Sequence, residues 1–387
     1  MLKLVQVCYK IQLKKWIERY LFVKKKFLQT ALLLTLSASL VACGKEEPVS
    51  TNTETQSSEV ESQISETETE VAEDVAPEGM YRSELTNEWI DEDLQNQRPV
   101  AIMVDNESIA LPHYGLTEAD IVYEMMNSTA NGRITRLMCI VKDWDSIEQF
   151  GSIRSVRPTN LMIAPEWDAV VIHDGGPVYV DGYYTKPYLD HISGGFARID
   201  NGKSREYTEY VTTGEIADRM DSENISTEYT EYYEGAHFTF ANENAPVDLG
   251  SADNSIDATE IAFPFPHNDS CLSYDAETEL YYYSEYGKAH VDPLHDNAQL
   301  CFKNVLIQCC PFLQYDEHGY MGFYAVSSGN PGYYVTNGEA IPVTWSKTSE
   351  TSPTKYFDAD GNEITINTGK TYIALVPDDD WEDLVIE

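Results

Sequence analysis

Two arginines, Arg154 and Arg157, stand three residues apart in GSIRSVRPTNLMIAPEWDAVVIHDGG (151–176), where a turn leads into a short apolar helix and then a strand-like AVVIH run. A planar guanidinium donates paired hydrogen bonds to a carboxylate or phosphate. The free N–H groups of a helix's first turn favour the same anions. The chain holds 65 Asp and Glu against 26 Lys and Arg, a formal net charge of −39, and this turn is its densest positive feature. An anionic group is therefore the expected ligand, a carboxylate of a peptide or sugar acid before a phosphate. Asp105 and Asn106 end the apolar run RPVAIMVDN, and Gly175 and Gly176 end the AVVIH run. If the two runs are neighbouring strands, all six residues meet at one sheet edge, with Asn106 assisting the arginines. The competing expectation is internal: both guanidiniums paired with carboxylates such as Asp105 or Glu124 and closed to solvent.

Other constellations are weaker. His290-Val-Asp292 with His295 offers metal-donor atoms but lacks a helical His-Glu-x-x-His arrangement, and it reads as a surface loop after Gly287. Asp358-Ala-Asp360-Gly361-Asn362 imitates the start of a calcium loop with glycine at the wrong place, so a turn is expected there. Ser152 or Ser155 with His173 could form a nucleophile and base, but no G-x-S-x-G elbow surrounds either serine. No Walker or G-x-G-x-x-G phosphate loop occurs. No metal, cofactor or catalytic residue is assigned.

The elements that must position the arginines follow from pattern. RPVAIMVDN, IVYEMM (121–126) and ITRLMCIV (134–141) read as strands, the last two joined by a hairpin through Asn131-Gly132. Glu124 and Arg136 lie inside that hairpin and would pair across it. Pro158 suits the first turn of the helix after Arg157, and 213–220 reads as a second helix. Beyond 250, short tyrosine-rich strands recur, with hairpin signals at Asn337-Gly338 and Asp360-Gly361. The expected fold is α/β (α+β): a layered mixed β-sheet N-terminal domain over 98–245 and a mainly β C-terminal domain over 246–387.

The N-terminus reads as an address. Lys24 to Lys26 precede an apolar run from Phe27 to Ala42 that is too short to span a membrane, and Leu40-Val41-Ala42-Cys43 forms a lipobox. Residues 1–42 are thus expected to be a signal peptide, and Cys43 to be lipidated at the mature N-terminus. Residues 1–22 do not fit a signal peptide, and initiation at Val23 is expected. Between Lys45 and Met80 there are eleven acidic residues and one basic, so 43–97 is expected to be a self-repelling tether. The partner is the membrane, reached through lipid on Cys43; nucleic acid is excluded by the charge. Oligomeric state is left open. Cys139, Cys271, Cys301, Cys309 and Cys310 are an odd set in an exported chain and read as buried thiols.

RPVAIMVDN, GLTEADIVYE, GRITRLM, GSIRSVRP and the later DGG, in this order, resemble the YerB-like lipoproteins, a family built on a two-part domain of unknown function. The resemblance spans about 98–377 and includes WSK (345–347) and DADGNEITINTGKTYI. It implies a two-part α/β fold with a layered mixed sheet and supplies no activity or catalytic residue. One departure stands out: SREYTEYVTT (204–213) occupies the place of an Arg-x-Pro-His-Asn-Leu-Tyr type segment, so its His and Asn are missing. The functional expectation is a membrane-anchored, extracytoplasmic binding or envelope-assembly protein of a Gram-positive-type cell. The alternative is a cell-envelope hydrolase or transferase.

Overall fold

Apolar residues fill both parities of the expected strands, which marks a sheet covered on each face. The computed structural model describes residues 76–387. Cys43, the expected signal segment and most of the expected tether lie outside the described residues. Six strands form the middle of the largest sheet: β1 (Val100–Asp105), β2 (Ile121–Met126), β3 (Thr135–Val141), β4 (Val170–His173), β5 (Asn304–Cys310) and β6 (Thr371–Pro377). Their spatial order is β5-β6-β2-β3-β1-β4. β2-β3 and β3-β1 are antiparallel; β5-β6, β6-β2 and β1-β4 are parallel. All residues of these six strands are buried.

The period of two sorts each strand between two apolar cores. Val100, Ile102, Val104, Val122, Leu137 and Cys139 face the first core, with helix α2 (Glu215–Glu223) and the smaller sheet of Glu260–Ala262, Cys271–Asp275 and Leu280–Glu285 packed over it. Ala101, Met103, Tyr123, Met125, Met138 and Ile140 face the second, covered by helix α1 (Pro158–Ile163) and the 164–167 turn. The fold is mixed α+β and dominated by strands. β5 and β6 come from the expected C-terminal part yet hydrogen-bond through β6 to β2, so the two parts share one sheet across residue 245.

Ordered structure starts before Arg98. Strands Met80–Arg82 and Trp89–Asp91 pair, and Ser83 and Leu85 between them are buried. The expected tether is therefore shorter at its C-terminal end: Leu85 enters the second core, and Glu84 receives the buried Lys142 ammonium at 2.5 Å. An acidic surrounding hid that anchor. The Asn337-Gly338 hairpin forms as expected between Ser328–Thr336 and Glu339–Ser346. At Asp358, Oδ1 accepts the N–H groups of Asp360 and Asn362, closing a tight turn. Cys139, Cys309 and Cys310 are buried free thiols and Cys301 is a partly buried one; burial pushes all four thiols up.

A buried carboxylate pins the second core. Glu166 accepts the Tyr123 hydroxyl at 2.8 Å, the Lys347 ammonium at 3.0 Å, and the Thr354 N–H and hydroxyl at 3.0 and 2.7 Å. Trp167 Nε1 donates to the Tyr123 hydroxyl at 3.0 Å and its ring stacks on His237 at 3.8 Å. Burial opposes the Glu166 charge, and Lys347 with His237 more than offsets it, holding the carboxyl below its ordinary range. Lys347→Ala leaves this anion without its cation, and removing one partner of a buried pair costs about 3–5 kcal/mol. Urea denaturation is expected to show a loss of that size, whereas Lys355→Ala, on a more exposed pair with Glu363, changes little.

Candidate functional site

Asp105 and Arg136 sit opposite one another in the β1-β3 register and so point to the same, second face. The chain returns to this end of β1 through an isolated bridge between Val104 and Ile153, and the Arg154 N–H donates to the Met103 carbonyl at 2.9 Å. Arg154 thereby reaches Asp105, with Nε 2.6 Å from Oδ2, and Glu206, with a terminal nitrogen 2.8 Å from Oε2. Its guanidinium lies 5.4 Å from the Tyr207 ring centre. Burial works against its charge, but Glu206 and Asp105 outweigh it and raise the pKa. Arg154 is thus largely satisfied internally, though 23% of its side chain stays accessible.

Arg157 differs. It precedes α1 in extended conformation, Pro158 takes the first helical position, and Asn160 Oδ1 accepts the Arg157 N–H at 2.8 Å. Its guanidinium donates to the Val156 carbonyl at 2.9 Å and lies 5.2 Å from the Tyr320 ring centre, with Nε unpartnered. Arg136 donates to the Ser155 carbonyl at 2.6 Å and to Asn127 Oδ1 at 3.2 Å, and its Nε is also unpartnered. Among the described residues neither guanidinium has a carboxylate partner. Burial, with the neighbouring arginines, pushes Arg157 down to about 10 and Arg136 to about 9. A guanidinium keeps its proton at neutral pH, so both charges are held without a direct carboxylate partner, with Asp105 acting on them only at a distance. Internal pairing with carboxylates is met at Arg154, which still keeps a solvent-accessible edge, and is not met at Arg157.

Arg136 was expected to pair with Glu124. Register overrules that: Glu124 lies opposite Leu137 and faces the first core, one residue out of phase with Arg136. Asn106 is corrected for the same reason. Its amide donates to Thr135 Oγ1 at 2.9 Å and approaches Glu124 Oε1 at 3.3 Å, on the face away from the arginines. Gly175 and Gly176 do arrive beside the arginine turn, because β4 runs parallel to β1. The Gly175 carbonyl accepts the Val156 N–H at 3.0 Å, and the Arg154 carbonyl accepts the Asp174 N–H at 3.1 Å. Gly175 has φ 73°, and a Cβ on Gly176 would stand 2.9 Å from Val180 Cγ2. The glycines serve this close backbone packing. His173 Nδ1 lies 2.9 Å from the Gly175 carbonyl and Nε2 3.1 Å from His191 Nδ1, so both ring nitrogens are engaged by groups other than Ser152 or Ser155.

Behind Arg157 runs an aromatic path that sequence reasoning missed. A groove of about 730 Å³ is lined by Met162, Tyr183, Tyr188, Tyr315, Phe323 and Tyr324, among others. Tyr315 meets Tyr179 at 4.8 Å, Tyr179 meets Tyr320 at 6.1 Å, and Tyr320 is the ring beside Arg157. These tyrosines come from segments over a hundred residues apart, so no local spacing announced them.

On the other face, Glu124 accepts Tyr372 and Tyr283 hydroxyls at 2.5 and 2.9 Å, Thr135 Oγ1 at 2.8 Å and the Asn268 amide at 2.7 Å. Burial raises its pKa, although these donors pull it down. His290 and Asp292 were expected in a surface loop; both are buried, at 4% and 1% exposure. Asp292 accepts the Thr117 hydroxyl at 2.8 Å, and His295 pairs with Glu118 at 2.8 Å instead of joining His290.

These features define a two-part α+β protein whose halves share one sheet, with a polar centre on each face. Residues 85–226 match the N-terminal domain, and 261–373 the C-terminal domain, of the family described as protein of unknown function DUF3048. The chain is 26% identical over 308 residues to YerB of Bacillus subtilis strain 168, a protein whose name marks it as a candidate lipoprotein; the match spans 77% of this chain and 86% of that one. The crystal structure of B. subtilis YerB superposes with a TM-score of 0.66 and 22% identity, over 79% of this chain and 99% of that one. The chain belongs to the YerB-like family.

Among the described residues, Asp105 is the buried carboxylate that touches the arginine cluster. Asp105→Asn removes its charge while leaving an oxygen for the Glu107 N–H. The variant is expected to lose about 1–3 kcal/mol in urea denaturation and to regain part of it in sulfate relative to chloride at equal ionic strength.

Proposed function

We propose that the protein is a membrane-anchored, extracytoplasmic lipoprotein that binds a carboxylate-bearing ligand, a peptide or sugar acid of the cell envelope, at Arg157 with Arg136 and Arg154. One observation carries this reading: in a chain of net charge −39, two adjacent guanidiniums lack a carboxylate partner among the described residues, while acidic residues outnumber basic ones more than twofold. A charge held this way is costly in isolation and is relieved by an anion. The tyrosine groove, linked to Tyr320 through the rings of Tyr315 and Tyr179, supplies apolar faces with polar rims, which suit the body of such a ligand. The lipobox ending at Cys43 and the name given to B. subtilis YerB support the anchor. Asp105 and the Gly175-Gly176 loop shape the site, and Asn106 acts on the opposite face.

Calorimetry with soluble muropeptides and their reduced-carboxyl counterparts tests the ligand. Arg157→Ala is expected to weaken binding of the carboxylate form by about 1.5–3 kcal/mol, the size of a hydrogen bond to a charged group, with unchanged thermal unfolding. Equal binding by variant and parent sinks the proposal, and bond cleavage in the ligand would favour a hydrolase. The anchor has its own measurement: mass spectrometry of membrane-extracted protein should find diacylated Cys43 at the N-terminus, and Cys43→Ser should appear in the medium. Native protein that keeps residues before Cys43 refutes the anchor.

A further inference from the structure

His113, Glu285 and His290 each bring one donor atom to within 4.8 Å of the others, and all three side chains are buried. They come from both halves of the chain. His113 follows Pro112 in the loop after β1, Glu285 ends its strand, and His290 lies just beyond the turn at Tyr286-Gly287, which pairs Glu285 with Lys288. The imidazoles of His113 and His290 stand 5.0 Å apart. His290 Nδ1 lies 3.0 Å from Glu285 Oε1, which leaves Nε2 unpartnered, and the His113 ring has no well-aligned hydrogen bond, its polar neighbour being the Asp105 backbone. His113 is 0% exposed. Buried polar atoms are rarely left in this condition.

Charge points the same way. Glu285 and Glu124 are joined through Asn268, whose amide reaches both at 3.2 and 2.7 Å, and through the Tyr283 hydroxyl at 3.5 and 2.9 Å. Among the described residues no Lys or Arg pairs with either carboxylate. A divalent cation beside Glu285 would offset the cost of burying these two carboxylates.

We infer that His113, Glu285 and His290 hold a divalent transition-metal ion of the zinc class. Two imidazoles and a carboxylate are borderline donors of the kind zinc takes, whereas calcium and magnesium prefer all-oxygen sets. Tetrahedral ligands at about 2.0–2.2 Å stand about 3.3–3.6 Å apart, so donor atoms now within 4.8 Å of one another close by up to about an ångström, a side-chain rotation rather than a backbone change. Asn268 and Tyr283 contact the other oxygen of Glu285 and fix its orientation, as outer partners of metal ligands do. The three side chains leave a fourth position for water, and the ion would tie the smaller sheet to the loop after β1. It lies on the opposite face from Arg157 and is independent of the ligand proposed there.

The test uses the full-length, untagged chain, loaded with zinc, desalted in physiological salt to strip ions from exposed carboxylates, and measured by elemental analysis. One zinc per chain is expected, with a fall in Tm on chelation. His113→Ala and His290→Ala should lose the retained zinc, Glu285→Gln should bind it at least about tenfold more weakly, and His295→Ala, exposed and outside the set, should keep it. Cobalt loading of the parent chain, which needs no variant to fold, should give the d–d absorption of an N/O-ligated ion. Substoichiometric zinc in the parent, retention by His113→Ala equal to the parent's, or a cobalt spectrum identical to the hydrated ion overturns the inference.

Discussion

Burial on both faces of the sheet where β1 ends against β3 constrains everything around it. Because successive side chains alternate, adjacent Asp105 and Asn106 are committed to opposite sides: Asp105 meets Arg154 on one, and Asn106 meets Thr135 and Glu124 on the other. A shift of one residue in register would exchange these environments and place Glu124 among the arginines and Arg136 beside Tyr283. The apolar residues of both cores resist that shift, since each would also change face. The same alternation that builds the cores therefore keeps a cationic centre and an acidic one apart within a single sheet.

Charge is distributed against the grain of the composition. Most acidic groups among the described residues are at least partly exposed, yet at Arg136 and Arg157 the fold provides carbonyls and an aromatic ring in place of carboxylates. Carbonyl acceptors satisfy N–H groups without neutralising them, and the low-dielectric surroundings prolong the reach of what is left. Glu166 shows the opposite solution. There Lys347 and three further donors close the shell around one charge, and the result is a structural pin with no capacity to bind anything else.

The two halves are joined by more than apolar contact. β6 hydrogen-bonds to β2 and β5 to β6, so strands separated by some 250 residues form one parallel set. Polar links run across the same seam on both faces: Tyr372 and Tyr283 reach Glu124, and Lys347 and Thr354 reach Glu166. Hydrogen bonds of this kind are directional and cannot slide, which fixes how the second half docks.

The sequence by itself determined the strands from 100 to 141, the Pro158 helix start, the Asn337-Gly338 hairpin and the family, because hydrophobic period, proline geometry and turn chemistry are local. It also singled out Arg154 and Arg157 with Asp105 and the Gly175-Gly176 loop, since parallel β1 and β4 put their ends together. It placed Asn106 on the wrong face, paired Glu124 with Arg136, and took His290 for a surface residue. Those errors share a cause: which face a strand residue occupies, and what covers that face, depends on partners far along the chain. Only the tertiary structure could bring His113 to His290, set Tyr320 over Arg157, and give Arg136 carbonyl and amide oxygens in place of a carboxylate among the described residues, because burial and charge compensation are properties of the packed sheet and not of any segment in it.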